Sequence, residues 1–132
     1  MRIFIDTSAF FALLDRDDDN HERAKSAWAG ILGRENTLVT SNYVLVETFA
    51  LLQNRLGMIA VRAFQGDLFP ILNVEFVNLE THRSGISALL AAAKRNLSLV
   101  DCVSFELMVS LGIKTAFAFD THFKEAGFQV SP

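Results

Sequence analysis

Apolar residues follow two rhythms along this chain. Short runs bounded by polar residues alternate with longer stretches in which apolar positions recur every three or four residues. The run Ile3-Phe4-Ile5 reads as a strand covered on both faces. Leu38-Val39, Val74–Val77 and Thr115–Phe119 read as three more strands, and Phe128-Gln129-Val130 as a last strand at a sheet edge. Between them lie helical patterns. Ala9–Leu14 follows Asp6-Thr7-Ser8, a polar cap at a strand-to-helix join. His21–Leu32 places Ala24, Trp28 and Ile31 on one face. Ser41 caps a long helix stopped at Gly57, and Met58–Leu68 predicts another that ends before Pro70. Thr81–Arg95 and the segment from Ser98 to Leu111, closed by Gly112, are two more, and Thr121–Glu125 is a short one. Strands alternating with helices predict an α/β/α sandwich with a central, mostly parallel sheet of four to five strands. No repeat or linker interrupts residues 1–132, which read as one domain.

Composition narrows the class. Hydrophobic residues make up 51% and charged residues 20% of the chain, the balance of a packed globule. Phe is over-used, with 12 residues against one Trp and one Tyr; this points to a large core, a self-association surface, or both. The net charge of -3 argues against broad electrostatic attraction for nucleic acid, although bound cations can reverse a local field. A single cysteine, Cys102, excludes an internal disulfide and a cysteine zinc site. No stretch is apolar enough to span a membrane, and the strand-like start lacks a signal-peptide layout, so a reducing cytoplasm is the expected location.

Four of the 15 acidic residues stand in apolar surroundings. Asp6 ends Ile3-Phe4-Ile5, and Asp120 ends Ala116–Phe119. Glu47 is the only charge between Tyr43 and Leu52, and Asp101 the only one from Leu97 to Phe105. An unpaired carboxylate in such a place carries a desolvation cost of about several kcal/mol. No Lys or Arg lies within three positions of any of them. Shared divalent cations are the economical compensation, and oxygen ligands suit Mg²⁺ or Mn²⁺. Each acid also has a local reading. Asp6 and Asp120 fit helix N-caps, and Asp101, three residues after Ser98, fits a capping box. Glu47 sits mid-helix on a segment that also carries Thr48 and Gln53. Only the four together favour a shared site. In parallel sheets that site lies beyond the carboxyl ends of the strands, where Asp6 and Asp120 fall.

Thr7, Ser8, Ser41 and Ser104 are candidate hydroxyls for orienting a carboxylate, with backbone capping preferred for Ser8 and Ser41. His122 reads as a first-turn helix residue in preference to a phosphate contact. His21 and His82 read as surface, and Cys102 as a buried filler. Trp28, Phe49, Phe117 and Phe119 read as core. Arg16, Arg23 and Lys25 flank the acidic loop Asp15–Asn20 and read as solvated charge. There is no glycine-rich phosphate loop.

These pieces resemble the PIN domain, and within it the VapC-type toxins of prokaryotic toxin–antitoxin pairs. The resemblance spans nearly the whole chain. It rests on Ile5-Asp6-Thr7-Ser8, on Ser41-x-x-Val44-x-x-Glu47, on Leu99-Val100-Asp101, and on Phe119-Asp120-x-His122-Phe123 followed by Gly127-Phe128. It implies that Asp6, Glu47, Asp101 and Asp120 form a catalytic, metal-binding quartet supported by Thr7. It also implies Mg²⁺ or Mn²⁺ dependence, endonuclease action on RNA, a homodimer, and a cognate antitoxin protein. Many relatives carry Asp two residues after the last acid of the set; His122 stands there in this chain.

Chemically, such a quartet would hold one or two cations that acidify water for in-line attack on phosphorus, leaving 5′-phosphate and 3′-hydroxyl ends. Two alternatives stay open on sequence. A phosphatase of haloacid-dehalogenase type would also carry Asp at the end of its first strand, but needs a second Asp where Ser8 stands. A non-catalytic PIN-like module that only binds RNA or protein would be expected to have lost part of the acidic set.

Overall fold

Ile3, Phe4 and Ile5 are all sealed from solvent, which requires cover on both faces of the strand that carries them. The computed structural model describes all 132 residues, Met1–Pro132. Its elements in chain order are β1 (Arg2–Ile5), α1 (Thr7–Leu14), α2 (His21–Leu32), β2 (Thr37–Ser41), α3 (Asn42–Arg55) and α4 (Met58–Ala63). A π-helical turn (Phe64–Leu68) and a 3₁₀ turn (Phe69–Ile71) follow. Then come β3 (Asn73–Glu75), α5 (Leu79–Ala92), α6 (Leu99–Leu111), β4 (Thr115–Phe117), α7 (His122–Glu125) and β5 (Gln129–Ser131). The five strands form one sheet in the order β3-β2-β1-β4-β5, with every pairing parallel. The expected α/β sandwich with a parallel sheet is thus what the chain forms.

The order explains where a site can lie. The chain steps outward from β1 to β2 and β3, then returns to the other side of β1 for β4 and β5. Connections leave in opposite directions at β1 and β4, which opens a crevice at the carboxyl ends of those two strands. Register holds this edge together: Phe4 pairs with Ala116 and Ile5 with Phe117, and the Asp6 N–H continues the ladder to the Phe117 carbonyl at 3.1 Å.

Several element ends differ from the sequence pattern, each for a local reason. β4 stops at Phe117 rather than Phe119, because the Phe119 N–H turns to the Ser8 hydroxyl at 3.0 Å. β3 covers Asn73–Glu75 rather than 74–77, since the Val77 N–H is taken by Asn42 Oδ1 at 2.8 Å. α5 begins two residues early, capped by Asn78, whose Oδ1 accepts from Thr81 N–H at 2.9 Å. It ends at Ala92, followed by left-handed Ala93, instead of reaching Arg95. The helix expected over 58–68 stays regular only to Ala63. Pro70 cannot donate to Gly66 and its ring crowds that carbonyl, so the backbone widens into a π turn and finishes as 3₁₀.

The Phe surplus goes mainly inward. Phe4, Phe10, Phe64, Phe117 and Phe123 are fully buried. Phe64 takes Phe10 and Phe49 edge-on at centroid distances of 4.9 and 5.3 Å, and Trp28 stacks on Phe117 at 6.1 Å. Cys102 is buried as expected. Phe76 is the exception, at 77% exposed.

α5 and α6 meet at Gly85. A Cβ built there would lie 2.4 Å from Val103 Cγ2 and 3.3 Å from the Val103 Cα and N. Ala has the better helix propensity by about 1 kcal/mol, but overpacking against backbone costs about 1–3 kcal/mol. Gly85→Ala is therefore expected to lower the midpoint of denaturant unfolding; an unchanged or raised midpoint contradicts this contact.

Candidate active site

β1 ends at Ile5, and Asp6 adopts extended backbone as the N-cap of α1. Its Oδ2 accepts the Ser8 N–H at 3.1 Å and the Ser8 hydroxyl at 2.7 Å. The side chain is only 3% exposed. Asp101 opens α6 in the capping box anticipated from Ser98: the Ser98 N–H donates to Asp101 Oδ2 at 3.2 Å, and the Asp101 N–H to Ser98 Oγ at 3.1 Å. Asp120 lies just beyond β4, where its Oδ1 accepts the His122 N–H at 3.0 Å. Glu47 is half-buried on α3, one turn after Tyr43.

Local capping and a shared site are therefore compatible. In Asp6, Asp101 and Asp120 a backbone N–H holds one carboxylate oxygen and none holds the other. Capping fixes each side chain while a ligand atom stays available.

Electrostatics ties the four acids together. The charge on Asp101 raises the pKa of Asp6, Glu47 and Asp120 alike. Asp6 is pushed up to about 7, chiefly by burial; the Ser8 hydroxyl opposes this, and the charges of Asp120 and Asp101 add to it. Glu47 is raised by burial first, held back by the nearby Thr7 hydroxyl, and raised again by Asp101 and Asp120. Asp120 is raised by burial and by Asp101. The His122 N–H, the His122 ring and a hydrogen bond from the Asp6 carboxyl pull it back. No Lys or Arg stands within 4.0 Å of any carboxylate in the chain. Salt bridges to Lys or Arg, the alternative compensation, are absent.

Asp101, Asp120 and His122 present ligand atoms that all lie within 4.8 Å of one another. An octahedral cation with bonds of about 2.1 Å spans about 4.2 Å between opposite ligands, so small side-chain adjustments would close the set on one ion. Carboxylate oxygens with one imidazole suit a hard or borderline divalent cation. The donor set fits a metal.

His122 was undervalued from sequence. It is the first residue of α7, as expected, but its Nδ1 is also 3.1 Å from Asp101 Oδ2 and 3.9 Å from Asp120 Oδ1. The close contact is off-line for a hydrogen bond, and the buried Nδ1 has no other partner. Its spacing two residues after Asp120 was the available signal. Ser8 likewise does more than cap, since its hydroxyl donates to Asp6 and accepts from Phe119. Thr7 bonds the Val44 carbonyl at 3.3 Å and Thr48 Oγ1 at 3.1 Å, tying α1 to α3 beside Glu47. Ser104 donates to the Val100 carbonyl at 2.7 Å on its own helix and to no carboxylate; Ser41 caps α3 through Val44 N–H. His82 packs edge-on against Tyr43, its Nδ1 meeting the phenol, and is half-buried rather than surface. His21 is also half-buried, with Nδ1 at 2.8 Å from the Ala12 carbonyl.

A family model described as "PIN domain" matches residues 3–129. The chain belongs to the PIN-domain family. It is 39% identical over 127 residues to the 23S rRNA-specific endonuclease VapC20 of Mycobacterium tuberculosis, covering 96% of this chain and 95% of that protein. The crystal structure of M. tuberculosis VapC20, described as a sarcin–ricin loop cleaving toxin, superposes with a TM-score of 0.86 at 38% identity, over 98% of this chain and 99% of that one. FitAcB of Neisseria gonorrhoeae matches with a TM-score of 0.72 at 14% identity, covering 100% and 97% of the two chains. VapBC2 of Rickettsia felis, bound to a DNA fragment from its promoter, gives 0.72 at 12%, covering 99% and 98%. These last two share the fold. No helix of the chain is long and apolar enough to cross a membrane.

The raised carboxyl pKa values predict how the metal-free protein responds to pH. Between about pH 4 and 7 the folded state retains a proton at Asp6 that the unfolded chain has released. Stability is therefore greatest below that window and falls as pH rises through it, by on the order of a few kcal/mol. In EDTA the protein is expected to melt at a lower temperature at pH 8 than at pH 5. Asn caps as well as Asp, so Asp6→Asn should flatten that dependence; an equally steep profile in the variant would refute the assignment to Asp6.

Proposed function

We propose that this PIN-domain protein is a divalent-metal-dependent endoribonuclease, the toxin of a toxin–antitoxin pair, acting on 23S rRNA in the manner described for VapC20. The observation that carries the reading is the gathering of Asp101, Asp120 and His122 within 4.8 Å of one another, with the charge of Asp101 raising the pKa of Asp6, Glu47 and Asp120 and no Lys or Arg within 4.0 Å of any of them. The extensive likeness to VapC20 supports the substrate class.

In this reading Asp6, Asp101 and Asp120 would offer the oxygens that no backbone N–H holds to Mg²⁺ or Mn²⁺. Glu47 completes the negative field from α3, and His122 supplies a nitrogen in place of a further acid. A bound cation supplies Lewis acidity, which makes water a better nucleophile and stabilises negative charge developing on the phosphate. The protein's own contribution is positioning. Ser8 pins Asp6, Ser98 pins Asp101, and the His122 N–H pins Asp120, so the ligands need little reorganisation. Thr7 holds α3 against α1 and thereby keeps Glu47 at the crevice. Burial raises the carboxyl pKa values, and cation binding must therefore displace protons below about pH 7.

A homodimer fits the outer surface. Val46, Phe76 and Leu79 are 71%, 77% and 61% exposed, and the bond from Val77 to Asn42 places the Phe76 segment against the start of α3. Exposed apolar residues gathered this way mark a surface made for a partner. A cytoplasmic location and a cognate antitoxin complete the proposal.

The test uses an RNA carrying the sarcin–ricin loop of 23S rRNA. Cleavage is expected with Mg²⁺ or Mn²⁺, abolished by EDTA, with 5′-phosphate and 3′-hydroxyl ends. Asp6→Asn and Asp101→Asn keep their caps and should lose more than about a hundredfold in rate; parent-like cleavage by either folded variant would overturn the reading. Separately, Phe76→Asp is expected to convert a dimer to a monomer in light scattering, and a parent protein that is already monomeric rejects the dimer.

A further inference from the structure

A protein with net charge -3 cannot rely on its overall field to hold RNA. If it is a nuclease, local cations must guide the strand. None of the Lys and Arg side chains is committed to a carboxylate, so what matters is which of them adjoin the acidic site. A cleft of about 450 Å³ opens beside Asp120 and contains both Arg23 of α2 and Lys124 of α7. Asp120 is its only acid. By contrast, the larger groove over α5 and α6 sets Arg83 against Glu80 and Glu106.

The cleft is also ordered. The Arg23 guanidinium lies over the Phe119 ring at 5.5 Å from its centroid, a cation–π distance. One of its N–H groups reaches Asn20 Oδ1 at 3.3 Å. A guanidinium has five such donors in a planar fork, so the bond to Asn20 leaves others for an anion. Phe119 in turn donates its N–H to Ser8 Oγ at 3.0 Å, and Ser8 donates to Asp6 at 2.7 Å. The wall that carries Arg23 is thus hydrogen-bonded to the carboxylate site itself.

We propose that the Arg23–Phe119–Lys124 cleft binds the phosphodiester backbone of single-stranded RNA where the strand leaves the carboxylates at Asp120. This rests on the nuclease reading above. It gives Arg23, which reads from sequence as solvated charge, a positioning role for substrate. Backbone contacts carry no sequence information, so the cleft contributes affinity and register, not choice of RNA.

Counterion release provides the test, because each phosphate contact on a single strand adds about 0.7 to the slope of log affinity against log salt. Binding of a fluorescein-labelled, unstructured RNA decamer is followed by anisotropy between about 50 and 200 mM salt, with Mn²⁺ present and Asp101→Asn as the background to prevent cleavage. Adding Arg23→Ala or Lys124→Ala is expected to lower the slope by about 0.7 each and to weaken binding of every decamer sequence by about tenfold. Arg23→Lys should retain the slope. Arg34→Ala, the same charge change just beyond the opposite end of α2, should leave it unaltered. In the chain that keeps Asp101, Arg23→Ala should raise KM for cleavage while kcat stays within about twofold.

Slopes unchanged in both alanine variants overturn the cleft even if KM rises, because Arg23 would then act only by covering Phe119. So does an equal loss of slope in Arg34→Ala. If the chain with Asp101 cleaves no RNA while the slopes fall as expected, the nuclease reading fails and the RNA-binding cleft stands.

Discussion

Like charges brought together out of water dominate the carboxyl edge of this sheet. Asp6, Glu47 and Asp120 each carry a desolvation cost, and the charge of Asp101 adds to it in all three. No Lys or Arg offsets them, and the only basic group that pulls Asp120 back is the His122 ring. A fold tolerates such a cluster only if strong local structure holds each member in place, and here it does. Asp6 caps α1, Asp101 closes a capping box on α6, and Asp120 takes the first N–H of α7. Helix capping contributes about 1 kcal/mol at a typical site, enough to fix a rotamer though not to cancel burial of a charge. The remainder is left for protons or cations to supply.

That constraint orders the surroundings. β1 sits at the sheet's centre and is buried on both faces, so Asp6 is placed with little freedom. β4 must end early to let Phe119 reach Ser8, and this break in the ladder frees Asp120 to turn toward Asp101 and His122. The same turn presents the Phe119 ring to Arg23. The Asp6 carboxylate and the wall under Arg23 are therefore joined through one hydroxyl, that of Ser8.

Kinship with VapC20 and the physical reading reach the site by different routes. Likeness over nearly the whole of both chains fixes the family and the fold. The geometry adds how this chain arranges its own residues, including an imidazole whose Nδ1 faces two carboxylates without a hydrogen bond. An unsatisfied buried nitrogen beside two carboxylates fits the donor set of a metal site.

Much of this was already written in the order of residues. Apolar runs alternating with amphipathic stretches determined a parallel α/β sheet, because only strands covered on both faces need continuous apolar residues. Acids isolated in apolar segments marked the candidate site, since burial makes a charge conspicuous wherever it occurs in the chain. Three things were decided only in three dimensions. His122 meets Asp101, Ser8 links Asp6 to Phe119, and Arg23 settles on Phe119 beside Asp120; each depends on a contact between residues distant in the chain, which spacing alone does not establish. Element ends at Phe117, Glu75 and Ala63 were also settled there, where Ser8, Asn42 and Pro70 redirected backbone hydrogen bonds that local propensity alone would have continued.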